Sequence, residues 1–149
     1  MKYFFLAVDD EPLALQDLTD ALHTAEPEAE GCDFTDPEEA LAVVRAGTFR
    51  PQIAFLDIQM RGWTGLDLAL ELRKLLPALE IIFVTAYSQY ALESYSLHAR
   101  GYLMKPVTPE DIAEELRNIG LTTARAAQEK TLRVQCFGNF EVFYRGRPL

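Results

Sequence analysis

The sequence predicts an α/β fold in which five parallel strands form a doubly wound sheet with helices on both faces. Short apolar segments that favour strands alternate with segments of helical periodicity between residues 1 and 119. The central segment, Gln52 to Leu56, is almost wholly apolar and stops on Asp57. Such a run predicts a strand buried on both faces, and strands of this kind belong to parallel sheets.

Composition restricts the possible functions. With 149 residues, 49% hydrophobic and 25% charged, the chain is large enough for one main domain with its own core. Its net charge of −9 opposes unaided binding to DNA or RNA but is compatible with a bound cation. Cys32 and Cys136 are far apart and lack metal-ligand spacing, so we expect two reduced thiols. No apolar run suits a membrane span or a signal peptide, and we expect a cytoplasmic protein.

Two strand–helix units precede the central strand. Residues 2–8 predict the first strand, which stops on Asp9 and Asp10. The helix that follows is predicted from apolar residues at helical spacing, namely Leu15, Leu18, Leu22 and Ala25. Residues 31–35 predict a weak second strand, and a capping-box pattern after it opens a second helix that stops at Gly47.

Two more units follow the central strand in the same order. Thr64 is the predicted N-cap of the third helix, and residues 80–84 predict a fourth strand that ends at Thr85. The inward face of the third helix is predicted to be Leu66, Ala69, Leu70 and Leu72. Ser88 is the predicted cap of a weaker fourth helix, which we expect to be the mobile one. Its apolar residues are Ala91, Leu92 and Tyr95.

The last unit completes the sheet. Residues 101–104 predict a fifth strand that ends at Lys105, and residues 108–111 have the capping-box pattern of a fifth helix. The inward residues of that helix are predicted to be Ile112, Leu116 and Ile119. A sheet built this way binds ligands at the carboxyl ends of its strands, at the switch point between the first and third strands.

Polar residues stand at the ends of four of the five predicted strands. These residues are Asp9 and Asp10, Asp57, Thr85, and Lys105. Three carboxylates in one crevice repel each other unless a divalent cation lies between them, and Mg²⁺ is the ion that best fits carboxylate and phosphate oxygens. Asp57 would then be both a metal ligand and a nucleophile that forms an acyl phosphate, with Lys105 and the Thr85 hydroxyl balancing the charge.

Each of these residues also has an ordinary structural explanation. Asp57, Asp9 and Asp10 could begin turns or helices, Thr85 could bond to the backbone, and Lys105 could be a solvated surface charge. Taken singly, these explanations are the better ones. Taken together, they require several independent coincidences at strand ends, and we therefore favour a shared site.

Four short segments carry the most specific pattern in the chain. They are Val8-Asp9-Asp10-Glu11-Pro12, Asp57-Ile58-Gln59-Met60 with Gly65, Val84-Thr85-Ala86-Tyr87, and Gly101-Tyr102-Leu103-Met104-Lys105-Pro106. At these spacings, residues 1–119 resemble a response-regulator receiver domain. The resemblance implies a flavodoxin-like sheet with strand order 2-1-3-4-5. It also implies a switch that catalyses only its own phosphorylation and dephosphorylation, with a histidine kinase as partner.

The resemblance assigns a role to each matching residue. Asp57 is the expected phosphoacceptor, and Lys105 is expected to contact the phosphoryl group after a cis peptide bond to Pro106. The expected Mg²⁺ ligands are Asp9, Asp10, Asp57 and the backbone carbonyl of Gln59. Gln59 and Tyr87 flank the site and are expected to tune hydrolysis of the acyl phosphate. Arg61 departs from the family pattern, which commonly has proline at that position.

The expected switch pair is Thr85 and Tyr102. Thr85 would move to the phosphoryl group, and Tyr102 would turn into the vacated space. This movement would repack the surface formed by the fourth helix, fifth strand and fifth helix. A phosphorylation-dependent homodimer on that surface is a hypothesis that rests on its aromatic and charged residues: Tyr90, Tyr95, His98, Arg100, Glu110, Asp111, Glu114 and Glu115.

The sequence changes character after the fifth helix. Residues 120–130 predict a linker, and residues 131–149 alternate as two strands around a Gly138-Asn139 turn. This hairpin resembles the opening strands of the winged-helix DNA-binding domain in SARP-type transcriptional activators. We expect that effector domain to continue beyond Leu149, so that specific DNA binding depends on residues outside this sequence.

Two other functions fit part of the pattern. A phosphohydrolase of the haloacid-dehalogenase type would need an acid two residues after its nucleophile, where Gln59 stands. A phosphorylation-independent interaction module would keep the fold but lose the site, whereas Asp57, Thr85 and Lys105 are all present.

Overall fold

A five-stranded parallel sheet forms the centre of the computed structural model, which describes residues 4–119. Its strands are β1 (Phe4–Val8), β2 (Glu30–Phe34), β3 (Ile53–Leu56), β4 (Glu80–Thr85) and β5 (Gly101–Met104). They lie in the order β2-β1-β3-β4-β5, and every neighbouring pair is parallel. The predicted α/β class and strand order are confirmed. The predicted linker, hairpin and Cys136 lie outside the described residues.

Five helices cover the two faces of the sheet. They are α1 (Pro12–Ala25), α2 (Pro37–Arg45), α3 (Gly65–Leu75), α4 (Ala91–Ser96) and α5 (Pro109–Asn118). One apolar cluster joins α1 and α5 to one face, with Leu18 and Leu116 buried in it. A second cluster joins α2 and α3 to the other face, with Leu41 and Leu72 buried in it. Burial of these apolar side chains holds the helices on the sheet.

Local signals begin and end several helices as the sequence predicts. The Thr64 hydroxyl caps α3 by accepting from the Asp67 N–H over 3.1 Å, and Thr108 and Asp111 form a reciprocal capping box on α5. Asp36 caps α2 by accepting from the Glu38 N–H over 3.0 Å. Gly47 follows α2 with φ +79°, a left-handed conformation that suits glycine.

The predicted inward face of α3 is partly wrong. Leu70 is 48% exposed, whereas Leu68, which the prediction omitted, is fully buried. Ala69 and Leu72 are buried as expected, and Leu66 is half-buried. Apolar residues occupy too many adjacent positions for spacing alone to fix how the helix is rotated.

The predicted start of α4 is also wrong. Tyr90, rather than Ser88, is the N-cap residue, and no side-chain hydrogen bond caps this helix. Leu92 is 83% exposed, and the buried residue of α4 is Ser94, whose hydroxyl donates to the Ala91 carbonyl over 2.7 Å. None of the helices within residues 4–119 has the length and apolar character needed to cross a membrane.

Candidate functional site

The sheet register places Asp9 and Asp57 side by side. Val8 pairs with Leu56 across β1 and β3, so the next residue of each strand leaves the sheet at the same level. Asp10 follows directly, and one carboxylate oxygen from each of the three residues lies within 4.8 Å of the others. Asp9 is 2% exposed and Asp57 is 6% exposed. The three acids that the sequence predicted to meet therefore form one mostly buried cluster.

Lys105 reaches this cluster from the end of β5. Its Nζ donates to Asp9 Oδ2 over 2.7 Å and to Asp57 Oδ2 over 3.2 Å. The Lys105 N–H donates to the Thr85 carbonyl over 2.9 Å, and the peptide bond to Pro106 is cis, as expected. One ammonium group is thus shared between two buried carboxylates.

Burial and the neighbouring charges shift the pKa values of both Asp57 and Lys105. Burial raises the pKa of Asp57, the charge of Asp9 raises it further, and Lys105 and a hydrogen bond from the Ile58 N–H oppose this rise. Burial lowers the pKa of Lys105, but hydrogen bonds and attraction to Asp9 and Asp57 outweigh it and leave that pKa raised. Lys105 therefore stays protonated, while a negative charge on Asp57 is costly in this environment.

The donor set fits Mg²⁺. Three carboxylates cluster beside one ammonium group, which pairs with two of them and leaves excess negative charge, and Mg²⁺ is a hard cation that prefers oxygen ligands. Gln59, whose backbone carbonyl is the fourth expected ligand, is fixed by an isolated antiparallel bridge to Thr64.

Arg61 supports Asp10 in a way that the sequence reading missed. The Arg61 N–H donates to Asp10 Oδ2 over 3.0 Å, and the Arg61 Nε lies 3.7 Å from the same oxygen. Proline has no N–H and could not make the first contact. The Arg61 side chain is 92% exposed, so solvent weakens its ion pair with Asp10. The backbone hydrogen bond is therefore the stronger of the two contacts. The sequence feature that could have indicated this contact is the presence of arginine where the family commonly has proline.

Both predicted switch residues, Thr85 and Tyr102, form hydrogen bonds with the backbone of Tyr87. Thr85 is fully buried, and its hydroxyl oxygen accepts from the Tyr87 N–H over 3.3 Å. Tyr102 is half-buried, and its hydroxyl donates to the Tyr87 carbonyl. Leu56 pairs with Phe83 across β3 and β4, so Asp57 is level with Val84. Thr85, the last residue of β4, therefore lies one residue beyond Asp57. Burial also raises the pKa of Tyr102, which keeps its hydroxyl protonated as a donor.

Residues 5–117 match the family model of the response regulator receiver domain. A positive alginate biosynthesis regulatory protein of Pseudomonas aeruginosa is 42% identical over 120 residues, which cover 75% of this chain and 45% of that protein. The sensory transduction protein LytT of Enterococcus faecalis is 34% identical over 126 residues, which cover 85% of this chain and 51% of that protein. The chain thus spans about half the length of the curated relatives it matches.

Solved structures share the fold over most of the described chain. A CheY-like receiver domain of Methanospirillum hungatei has a TM-score of 0.71 at 26% identity, covering 88% of this chain and 99% of its own. The response regulator TrrA of Thermotoga maritima, in complex with Mg²⁺ and BeF, has a TM-score of 0.68 at 32% identity, covering 80% of this chain and 99% of its own. With its parallel sheet and its cluster of acids, the chain belongs to the response-regulator receiver family.

Proposed function

We propose that this chain is the receiver part of a phosphorylation-activated response regulator, which accepts a phosphoryl group on Asp57 from a histidine kinase. The observation that carries this proposal is the convergence of Asp9, Asp10 and Lys105 on the buried Asp57 carboxylate. Receiver domains are phosphoacceptor switches rather than enzymes with a separate substrate, and the chain belongs to that family.

The phosphoryl transfer forms one bond and breaks one. An Asp57 carboxylate oxygen attacks phosphorus, an aspartyl phosphate forms, and the bond from phosphorus to the donor breaks with its electron pair leaving on the donor. The Lys105 ammonium, whose Nζ lies 3.2 Å from Asp57 Oδ2, would neutralise charge on the transferred oxygens. When bound to Asp9, Asp10, Asp57 and the Gln59 carbonyl, Mg²⁺ would supply further positive charge to those oxygens.

The switch follows from the hydrogen bonds of Thr85. Its hydroxyl now accepts from the Tyr87 N–H, and a phosphoryl group on Asp57 offers new acceptor oxygens to which that hydroxyl can donate. A shift of Thr85 toward them frees Tyr87, to whose carbonyl Tyr102 donates. Phosphorylation thereby biases the arrangement of β5 and α4.

Asp57→Asn is expected to abolish phosphorylation, because an amide cannot accept the phosphoryl group. Intact mass spectrometry after incubation with Mg²⁺ and acetyl phosphate measures the added phosphoryl mass. Asp67→Asn, an exposed acid in the first turn of α3, is the matched control and should keep the adduct. An adduct that survives in the Asp57 variant would disprove the assignment. No adduct on folded wild-type chain, and no complex with beryllofluoride, would disprove the phosphoacceptor function.

A phosphorylation-dependent homodimer is the proposed output on the α4, β5 and α5 surface. Leu92 is 83% exposed, Tyr95 62% and Met104 43%, so α4 and β5 both present large apolar side chains to solvent. Arg100 already pairs with Glu80 at 3.3 Å, which makes it a weaker candidate for the dimer contact. We expect the mass measured by light scattering to double when beryllofluoride is added. Leu92→Ser should remain monomeric, and an unchanged wild-type mass would refute the dimer.

Transcriptional control is the proposed output of the whole regulator. A relative of Staphylococcus aureus, 30% identical over 120 residues, is named transcriptional regulatory protein LytR. Residues 1–119 would be the receiver, 120–130 the linker, and 131–149 the start of a SARP-type effector domain that binds DNA. The family match ends at residue 117, so the sequence resemblance alone supports the effector assignment.

A further inference from the structure

One hydrogen bond joins the loop beside Asp57 to the start of α4. The side-chain amide of Gln59, two residues after Asp57, donates from Nε2 to the Tyr90 hydroxyl over 2.6 Å. Tyr90 is the N-cap residue of α4. The bond therefore connects the two loops that follow the neighbouring strands β3 and β4. Its length lies just below the usual range for N–H···O hydrogen bonds.

The two ends of α4 are held with different strength. Arg73 of α3 donates to the carbonyls of Leu97 and, over 3.3 Å, His98, which follow the last residue of α4. At the start of the helix, the side-chain hydrogen bond to the loop after β3 is the neutral one between Gln59 and Tyr90. Hydrogen bonds from a charged group are about twice as strong as neutral ones. The start of α4 is therefore the end that is easier to release.

Gln59 is the fixed partner in this bond. Its backbone forms an antiparallel bridge with Thr64, and the Thr64 hydroxyl caps α3. Tyr90, by contrast, lies on the segment that contains the switch contacts. Its ring packs edge to face against that of Tyr87, with centroids 6.5 Å apart. A movement that frees Tyr87 must therefore also disturb Tyr90.

We propose that the bond between Gln59 and Tyr90 is a latch that holds the start of α4 in its unphosphorylated position, with Tyr90 as a positioning residue. The latch rests on the proposed function, because it takes phosphorylation of Asp57 as the event that moves Thr85. That movement breaks the bond from the Tyr87 N–H to Thr85 and shifts the segment that carries Tyr90. The latch resists this shift, so its removal favours the phosphorylated arrangement.

The test is the affinity for beryllofluoride, a phosphoryl mimic, at fixed Mg²⁺ concentration. Trp63 is the only tryptophan of the chain and lies in the loop after β3, so its fluorescence can follow the titration. Tyr90→Phe is expected to bind about two- to tenfold more tightly, the factor by which one neutral hydrogen bond shifts an equilibrium. Ser96→Ala removes an exposed hydroxyl from the same helix, one that donates to the Glu93 carbonyl, and should leave the affinity unchanged.

A double-mutant cycle separates the latch from a general loosening of α4. Gln59→Ala keeps the backbone carbonyl and should tighten binding by a similar factor, while the double variant with Tyr90→Phe should gain nothing more. Suppose that wild type binds beryllofluoride. Equal or weaker binding by Tyr90→Phe, or additive gains in the double variant, would then overturn the latch. If wild type neither binds beryllofluoride nor gains phosphoryl mass, the proposed function fails, and the latch fails with it.

Discussion

Replacing Lys105 by methionine is expected to lower the free energy of unfolding by about 2–3 kcal/mol in the absence of Mg²⁺. The Lys105 Nζ lies 2.7 Å from Asp9 Oδ2 and 3.2 Å from Asp57 Oδ2, and both carboxylates are buried. Methionine has a similar length but no charge, so the two carboxylates would lose their shared counter-ion. Breaking a fully buried pair costs about 3–5 kcal/mol. The Lys105 side chain is 23% exposed, and solvent therefore reduces the loss.

Urea unfolding with and without Mg²⁺ tests this expectation. Lys74→Met is the matched control, because Lys74 pairs with Glu71 at 3.0 Å on the surface and its side chain is 71% exposed. The control should lower the free energy of unfolding by less than about 0.5 kcal/mol. Mg²⁺ should stabilise the Lys105 variant more than wild type, since a bound cation restores the missing positive charge. This account would be contradicted if the Lys105 variant were as stable as the control. It would also be contradicted if Mg²⁺ did not reduce the difference in unfolding free energy between the Lys105 variant and wild type.

Much of the site was predictable because polar residues at the ends of apolar runs are conspicuous. Asp57 ends an almost uninterrupted apolar segment, and parallel strands bring such ends to one edge of the sheet. The prediction that Asp9 and Asp57 meet therefore needed only the strand order, which the alternation of elements and the receiver resemblance supply. The contact from Lys105 followed from the same reasoning.

Contacts made by loops were not predictable in this way. The Arg61 N–H bond to Asp10 joins residues 51 positions apart, and the Gln59 bond to Tyr90 joins residues 31 apart. Each depends on a loop conformation that no periodic pattern encodes. The rotation of α3 was missed for a related reason, since its start is set by contact with the backbone after β3 rather than by leucine spacing.

Gly65 makes that contact, and Gly65→Ala is expected to lower the free energy of unfolding by about 3 kcal/mol, at the upper end of the usual cost of overpacking. A Cβ there would collide with the Asp57 carbonyl oxygen and lie 2.9 Å from the Ile58 Cα, and these backbone atoms cannot rotate away. The Gly65 N–H also donates to the Ile58 carbonyl over 2.7 Å, so the helix cannot withdraw without losing this bond. The variant should shift α3 against the segment that carries the phosphoacceptor.

Gly62→Ala is the control that separates collision from backbone strain. Gly62 has φ +79°, but a Cβ there meets nothing within 4 Å, so the expected loss is about 1 kcal/mol from strain alone. Both variants are measured by urea unfolding, together with phosphoryl mass gained under native conditions. Gly65→Ala should lose more stability and should accept the phosphoryl group more slowly, because the displaced backbone belongs to Asp57 itself. Equal losses in the two variants would mean that α3 does not need its close approach to Asp57.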